Sequence, residues 1–170
     1  MAAAFNDAGY INRYVISLKD ALEGKWAKYT CEGHDLNRTG EAVGELVGGN
    51  LALVVHGIGT PSEIKTKGRI LFIEDIGEQK YAIDRMIYQL KRSGKLNKLA
   101  GLIVGGFTDT RDTERPFGAT VQEIIYDAVK EFKYPVCFNF PVSHDKENYA
   151  LKIGVGYKLK VATKKVTLDE

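Results

Sequence analysis

With 170 residues, 44% of them apolar and 27% charged, the chain is long enough for one domain with a real core, short for two, and far from disordered compositions. Its 24 basic residues are interspersed with 22 acidic ones for a net charge of +2, so the electrostatic footprint of a nucleic-acid binder is missing. The longest apolar runs, near 51–55 and 69–73, are far too short for a bilayer, and Met1-Ala2-Ala3-Ala4 lacks the basic leader of a signal peptide, so a cytoplasmic protein without a membrane partner is expected.

In chain order, Tyr10, Tyr14, Ile16, Leu18 and Leu22 recur at helical spacing and close at Gly24. Residues 26–32 are expected to form a short strand and 33–40 a polar loop. A strand over 41–49 is expected to break at Gly48-Gly49. Asn50 then caps a helix through Leu51, Leu53, Val54 and Val55 that ends at Gly57 and Gly59. Residues 69–73 read as a buried strand, and Ile83, Met86, Ile87 and Leu90 as a helix face that stops at Gly94. Another strand over 99–104 closes at Gly105-Gly106. Thr120-Val121-Gln122-Glu123 is a capping-box pattern ahead of the apolar face Val121, Ile124, Ile125, Ala128, Val129 and Phe132. A strand over 136–140 follows, and from Leu151 onward Tyr157, Leu159, Val161, Val166 and Leu168 alternate with polar residues, as in antiparallel strands with one wet face. The succession predicts a mixed α/β layered fold with a β-rich C-terminal tail. Cys31 and Cys137 are too few for a disulfide framework and are expected to be reduced.

Glu74 is the sharpest candidate for chemistry, because it stands where a buried strand emerges at its carboxyl end, the place where open α/β sheets bind ligands. Alternatively, Glu74, Asp75 and Glu78 charge the start of the next helix, where the macrodipole favours acids. His144 follows a strand in a Ser-His-Asp-Lys-Glu-Asn loop; an imidazole held there by a rigid scaffold suits general-base work near neutrality, although an isolated loop histidine is also an ordinary surface residue. An acid and a histidine at two strand ends form the orienting and base members of a triad. The serine is missing. Ser17 lies in a helix, Ser62 follows Pro61, Ser93 precedes a helix-ending glycine, and Ser143 adjoins His144 directly, a poor geometry for attack assisted by that imidazole; none has the Gly-flanked elbow of a nucleophile. Cys137 reads as a structural strand residue. The glycine pairs 48–49 and 105–106 would let backbone approach a ligand but match no phosphate or dinucleotide motif. The three histidines are scattered: His34 reads as solvated, His56 as a core or interface residue, and no metal site is expected.

Four segments, in order, resemble the LD-carboxypeptidase family, which comprises muramoyltetrapeptide carboxypeptidases and microcin-immunity peptidases. They are Gly44-Glu45-Leu46-Val47-Gly48-Gly49-Asn50-Leu51; Gly59-Thr60-Pro61; Ile70-Leu71-Phe72-Ile73-Glu74-Asp75-Ile76-Gly77-Glu78 with Tyr81, Asp84 and Arg85; and Phe140-Pro141-Val142-Ser143-His144. The resemblance starts near Gly40 and covers only that family's C-terminal domain. It implies an N-terminal helical or linker segment over 1–39 and the family domain over 40–170, with the nucleophile-bearing domain absent. It further implies a swivelling β/β/α fold, His144 as general base, and Glu74 as its orienting partner. Asp75, Glu78, Arg85, Gly48, Gly49 and Asn50 would support the site or bind substrate. Two departures stand out: Ser143 replaces a common glycine before the histidine, and Lys152 a common proline.

The activity so implied is hydrolysis of the L,D-amide that releases terminal D-alanine from murein tetrapeptides, by a serine acyl-enzyme, in cytoplasmic cell-wall recycling, with no cofactor. The partners would be that substrate, the absent N-terminal domain in cis, and a second copy in a homodimer. Two alternatives stay open: a stand-alone binding or assembly module of the same fold, and a microcin-immunity-type peptidase domain. Retention of both Glu74 and His144 argues against the first, and the Tyr81, Asp84, Arg85 stretch favours the murein branch over the second.

Overall fold

The computed structural model describes residues 12–170 and arranges them as α1 (Arg13–Leu22), β1 (Lys28–Glu32), β2 (Gly40–Asn50), α2 (Leu51–His56), β3 (Ile70–Ile76), α3 (Lys80–Arg92), β4 (Gly101–Thr108), α4 (Val121–Val129), β5 (Val136–Cys137), β6 (Gly156–Val161) and β7 (Lys165–Asp169). All seven strands share one sheet in the order β1-β7-β6-β2-β3-β4-β5. Strands β2 to β5 pair in parallel, each crossover carrying a helix; β2–β6, β6–β7 and β7–β1 pair antiparallel.

Side-chain patterning explains the layers. β3 is apolar at nearly every position because both of its faces are covered. Leu71 and Ile73 face α2, α3 and α4, packing with Leu51, Ile83, Ile87, Leu90 and Ile125. Ile70 and Phe72 face the other way and meet Tyr157, Leu159, Val166 and Leu168 of the antiparallel strands. β6 shows strict exposed–buried alternation, as a strand with one solvated face should. The antiparallel strands thus fold over the parallel ones, giving the β/β/α layering. The sheet's two edges meet: Arg38, after β1, exchanges both backbone hydrogen bonds with Val136 of β5, at 3.0 and 3.1 Å. The Arg38 guanidinium also donates to the carbonyls of Val129 (3.1 Å) and Tyr134 (3.3 Å), satisfying the carboxyl end of α4. Arg38→Ala is expected to cost about 1–3 kcal/mol in urea unfolding; an unchanged midpoint would mean that water replaces both bonds.

Local signals mostly match the chain's reading. Asn50 caps α2 by accepting from Leu53 N at 3.2 Å, and Thr120 with Glu123 forms a complete capping box on α4. Four expectations need correction. Tyr10 lies outside the described residues, and α1 buries Tyr14, Val15 and Ser17, leaving Ile16 and Leu22 exposed, because the helix docks only through a small cluster around Tyr149. Trp26 is exposed and precedes the strand it was expected to start. β2 and β4 do not stop at their glycine pairs: Gly48 and Gly49, at φ +123° and +144°, stay in register with Phe72 and Ile73. β5 ends after two residues because Asn139 turns left-handed (φ +54°), although Phe140 N still reaches Val104 O at 3.0 Å. Among the described residues, no helix is long and apolar enough to cross a membrane. Cys31 and Cys137 are free thiols, and Cys137 Sγ donates to Phe138 O at 3.7 Å.

Candidate functional site

The carboxyl ends of the parallel strands bring together Asn50, Glu74, Asp75 and His144 among the residues singled out by sequence. Register places Asn50 of β2 beside Glu74 of β3. Glu74 and Asp75 point to opposite sides of the strand, as consecutive strand residues must. Asp75, 2% exposed, belongs to the helix side. Its carboxylate accepts from Asn50 Nδ2 (2.7 Å), Ala52 N (3.0 Å) and its own neighbour Ile76 N (2.8 Å). It therefore satisfies an early amide of α2 and fixes Asn50, a role in holding the local structure.

Glu74 lies on the other side, with 9% of its side chain exposed. Its Oε2 is 2.8 Å from Nδ1 of His144, whose side chain remains 46% exposed. A carboxylate on Nδ1 selects the tautomer in which that nitrogen donates, so the Nε2 lone pair is available as a base. Burial, the largest influence, pushes the Glu74 carboxyl above the ordinary glutamate range, and the nearby His144 pulls it back only in part. Such a group binds its proton more tightly when folded; its stability contribution is full below the unfolded pKa and lost as pH rises through the folded one. At neutral pH the ionised Glu74 thus weakens the fold. Glu74→Gln is expected to raise the melting temperature at pH 7 by about 2–4 °C, with the gain disappearing toward about pH 4. Thermal melts of both proteins across this range test it; a variant that melts lower at pH 7 contradicts the argument.

His144 sits in residues 141–151, a segment without helix or strand that is held by specific bonds. Gly106 N donates to Val142 O at 3.0 Å, and Tyr149 N to Pro141 O at 2.9 Å. Asn148, only 7% exposed, donates from Nδ2 to Ser143 O and accepts from Ser143 N at 3.4 Å. Ser143 Oγ accepts from Asp145 N at 2.9 Å, so this hydroxyl is used in holding the loop. The glycines of β4 make the approach possible. A Cβ on Gly105 would lie 2.3 Å from Val142 O, and one on Gly106 would lie 2.5 Å from the Ser143 Cβ. Lys152 bonds the carbonyl of Lys25 at 2.9 Å and pairs with Glu170 at 2.5 Å.

The remaining candidates are arranged differently. Gly48 is required by packing, since a Cβ there would meet Phe72 O at 1.9 Å, whereas Gly49 faces open space at the rim. Glu78 offers its backbone carbonyl to Arg111 N at 3.0 Å, and Arg85 lies over the Tyr81 ring at 4.9 Å on the exposed side of α3. Neither hydrogen-bonds Glu74 or His144 among the described residues, and no hydroxyl or thiol there bonds His144. No three His, Cys, Asp or Glu side chains gather among the described residues. Asn148 escaped sequence reading because a loop asparagine is unremarkable until its partner is known; the turn-forming bonds typical of Asn near a Ser-His pair were the only signal.

Comparison with known proteins bears on the family and the fold. Residues 43–159 match the profile of the LD-carboxypeptidase C-terminal domain. A Bacillus subtilis protein named probable murein peptide carboxypeptidase is 38% identical over 130 residues, covering 76% of this chain and 41% of that protein. The Pseudomonas aeruginosa murein tetrapeptide carboxypeptidase is 30% identical over 112 residues, or 65% and 36%. The crystal structure of muramoyltetrapeptide carboxypeptidase from Oxalobacter formigenes superposes with a TM-score of 0.84 at 28% identity, over 95% of this chain and 56% of that one. The microcin C7 self immunity protein, at 22% identity and a TM-score of 0.69, over 83% and 41%, shares the fold. The chain spans about two-fifths of the length of the curated relatives it matches.

Proposed function

Because the chain belongs to the LD-carboxypeptidase family, as its C-terminal domain, we propose that it supplies the base and orienting residues of a serine carboxypeptidase that releases D-alanine from murein tetrapeptides. The observation that carries the reading is the 2.8 Å contact between His144 Nδ1 and buried Glu74, with the imidazole exposed at the strand ends. The nucleophilic serine would come from the family's other domain. In the longer protein His144 Nε2 takes the serine proton as Oγ attacks the carbonyl carbon of the L,D-amide. It then gives that proton to the departing D-alanine nitrogen as the C–N bond breaks. Water, deprotonated by His144 Nε2, then attacks the acyl ester, and Nε2 returns the proton to serine Oγ as the ester C–O bond breaks. Glu74 holds the ring and stabilises the imidazolium formed in each half-reaction.

The murein branch is favoured over a peptidyl-nucleotide substrate because two relatives, at 38% and 30% identity, carry murein names, whereas the immunity protein shares the fold at 22%. Release of D-alanine from an L,D-tetrapeptide tests the reading. The chain alone is expected to be silent and the same chain joined to its nucleophile domain active. Turnover by the chain alone, or only of a peptidyl-nucleotide by the joined protein, would overturn it.

A further inference from the structure

We propose that residues 13–32, which precede the segment matched by the family profile, position His144, with Ser17 and Tyr29 as positioning residues acting through the Ala150 peptide. This rests on His144 being the base proposed above. Both polar groups of Ala150 are bound by side chains from that segment. Ala150 N donates to Ser17 Oγ at 3.0 Å, and Ala150 O accepts from Tyr29 Oη at 2.7 Å. Ser17 Oγ in turn donates to Tyr14 O at 2.7 Å. Ser17, Tyr29 and Ala150 are 7%, 6% and 8% exposed, so no solvent stands ready to replace these bonds.

Around them the Tyr149 ring is wedged between Tyr29 (centroids 4.6 Å apart, stacked) and Tyr14 (4.9 Å, tilted). Arg13 reaches Glu147 at 3.8 Å from the same helix. A serine on the buried face of a helix otherwise surrounded by tyrosine rings is a poor choice for packing or for helix propensity. Its partner on Ala150 explains it.

The coupling to His144 is short and continuous. Tyr149 N is tied to Pro141 O, and Asn148 to Ser143, so the return leg held by Ser17 and Tyr29 is cross-linked to the leg that carries the imidazole. A shift of the Ala150 peptide therefore moves Ser143 and His144 relative to Glu74, which is anchored in β3. An ångström of such misplacement is enough to cost about 10²-fold in rate.

The test reads the imidazole itself. In the ¹⁵N-labelled chain, the hydrogen-bonded Nδ1–H resonance of His144 and the ring nitrogen shifts report its bond to Glu74. Ser17→Ala and Tyr29→Phe, each deleting one hydroxyl, are expected to lose that resonance and average the two tautomers, while Ser17→Thr, which keeps the hydroxyl, restores the wild-type signature. A folded Ser17→Ala and a folded Tyr29→Phe that retain it and differ only in melting temperature would overturn the positioning role. Glu74→Gln separates this from the reading beneath it. If that variant loses the signature and the hydroxyl variants do not, only the positioning role fails. If Glu74→Gln also leaves it unchanged, the carboxylate–imidazole pair fails, and both readings with it.

Discussion

In the protein joined to its nucleophile domain, His144→Ala is expected to lower kcat for D-alanine release by about 10⁴–10⁶-fold, leaving KM nearly unchanged. In the proposed reaction the imidazole would take part in every proton transfer of both half-reactions, which is why its loss is expected to be so costly. Glu74→Gln is expected to cost about 10⁴-fold, because an amide can present its NH₂ to Nδ1 and so favour the tautomer with the proton on Nε2. The double variant should be no slower than His144→Ala alone, since the two residues act as one unit. Steady-state kinetics on the three variants decide the matter. Multiplying losses in the double variant would mean that Glu74 works independently of His144, contrary to their 2.8 Å contact.

The same Glu74→Gln change is expected to stabilise the fold at neutral pH while removing activity. Opposite signs in one substitution are what a buried ionised group kept for chemistry should give. A carboxylate present only to charge the start of α3 would show neither effect, because such a group is solvated and its removal is nearly neutral.

How far the sequence led depended on whether a feature was local. The continuous apolar run of β3, the alternation in β6 and β7, and the Thr120–Glu123 capping box are written in neighbouring residues and are legible without tertiary knowledge. A glycine pair reads locally as a strand break, yet at Gly48 the absent side chain leaves room for Phe72 O of the adjoining strand, a contact no local window contains. The extent of β5 was lost to one left-handed residue, Asn139, of a type that tolerates that conformation. On α1 the periodicity pointed to Ile16 and Leu22, but the buried side is chosen by where Tyr149 lies. The site shows the same division. That Glu74 and His144 each stand at a strand end is legible; that they meet depends on the order β3-β4-β5, which spacing cannot fix, and the family resemblance implied their partnership without giving that order. Asn148 and Tyr29 leave no pattern in the sequence, and Ser17 stands out there only as a helix serine unsuited to attack, because all three work on backbone groups of a loop.

Gly105 joins fold and site most directly, and Gly105→Ala is expected to damage both. The added Cβ would lie 2.3 Å from Val142 O, 2.9 Å from the Phe72 ring and 3.2 Å from Glu74 Cβ. The first of these is a backbone atom two residues before His144, and it is held by the Gly106 N–H at 3.0 Å. Phe72 is itself packed between the two sheet layers, so neither neighbour yields cheaply. Relief must come from lifting the 141–151 loop off β4. That costs about 1–3 kcal/mol of overpacking strain, and it carries the imidazole away from Glu74 by enough to lose about 10²-fold in kcat. Gly156→Ala, where a Cβ meets nothing within 4 Å, is the matched control and should change neither quantity. Urea unfolding of both variants, with kinetics in the joined protein, tests the claim. If Gly105→Ala keeps wild-type activity, the loop has room to adjust, and the position of His144 does not depend on its close fit against β4.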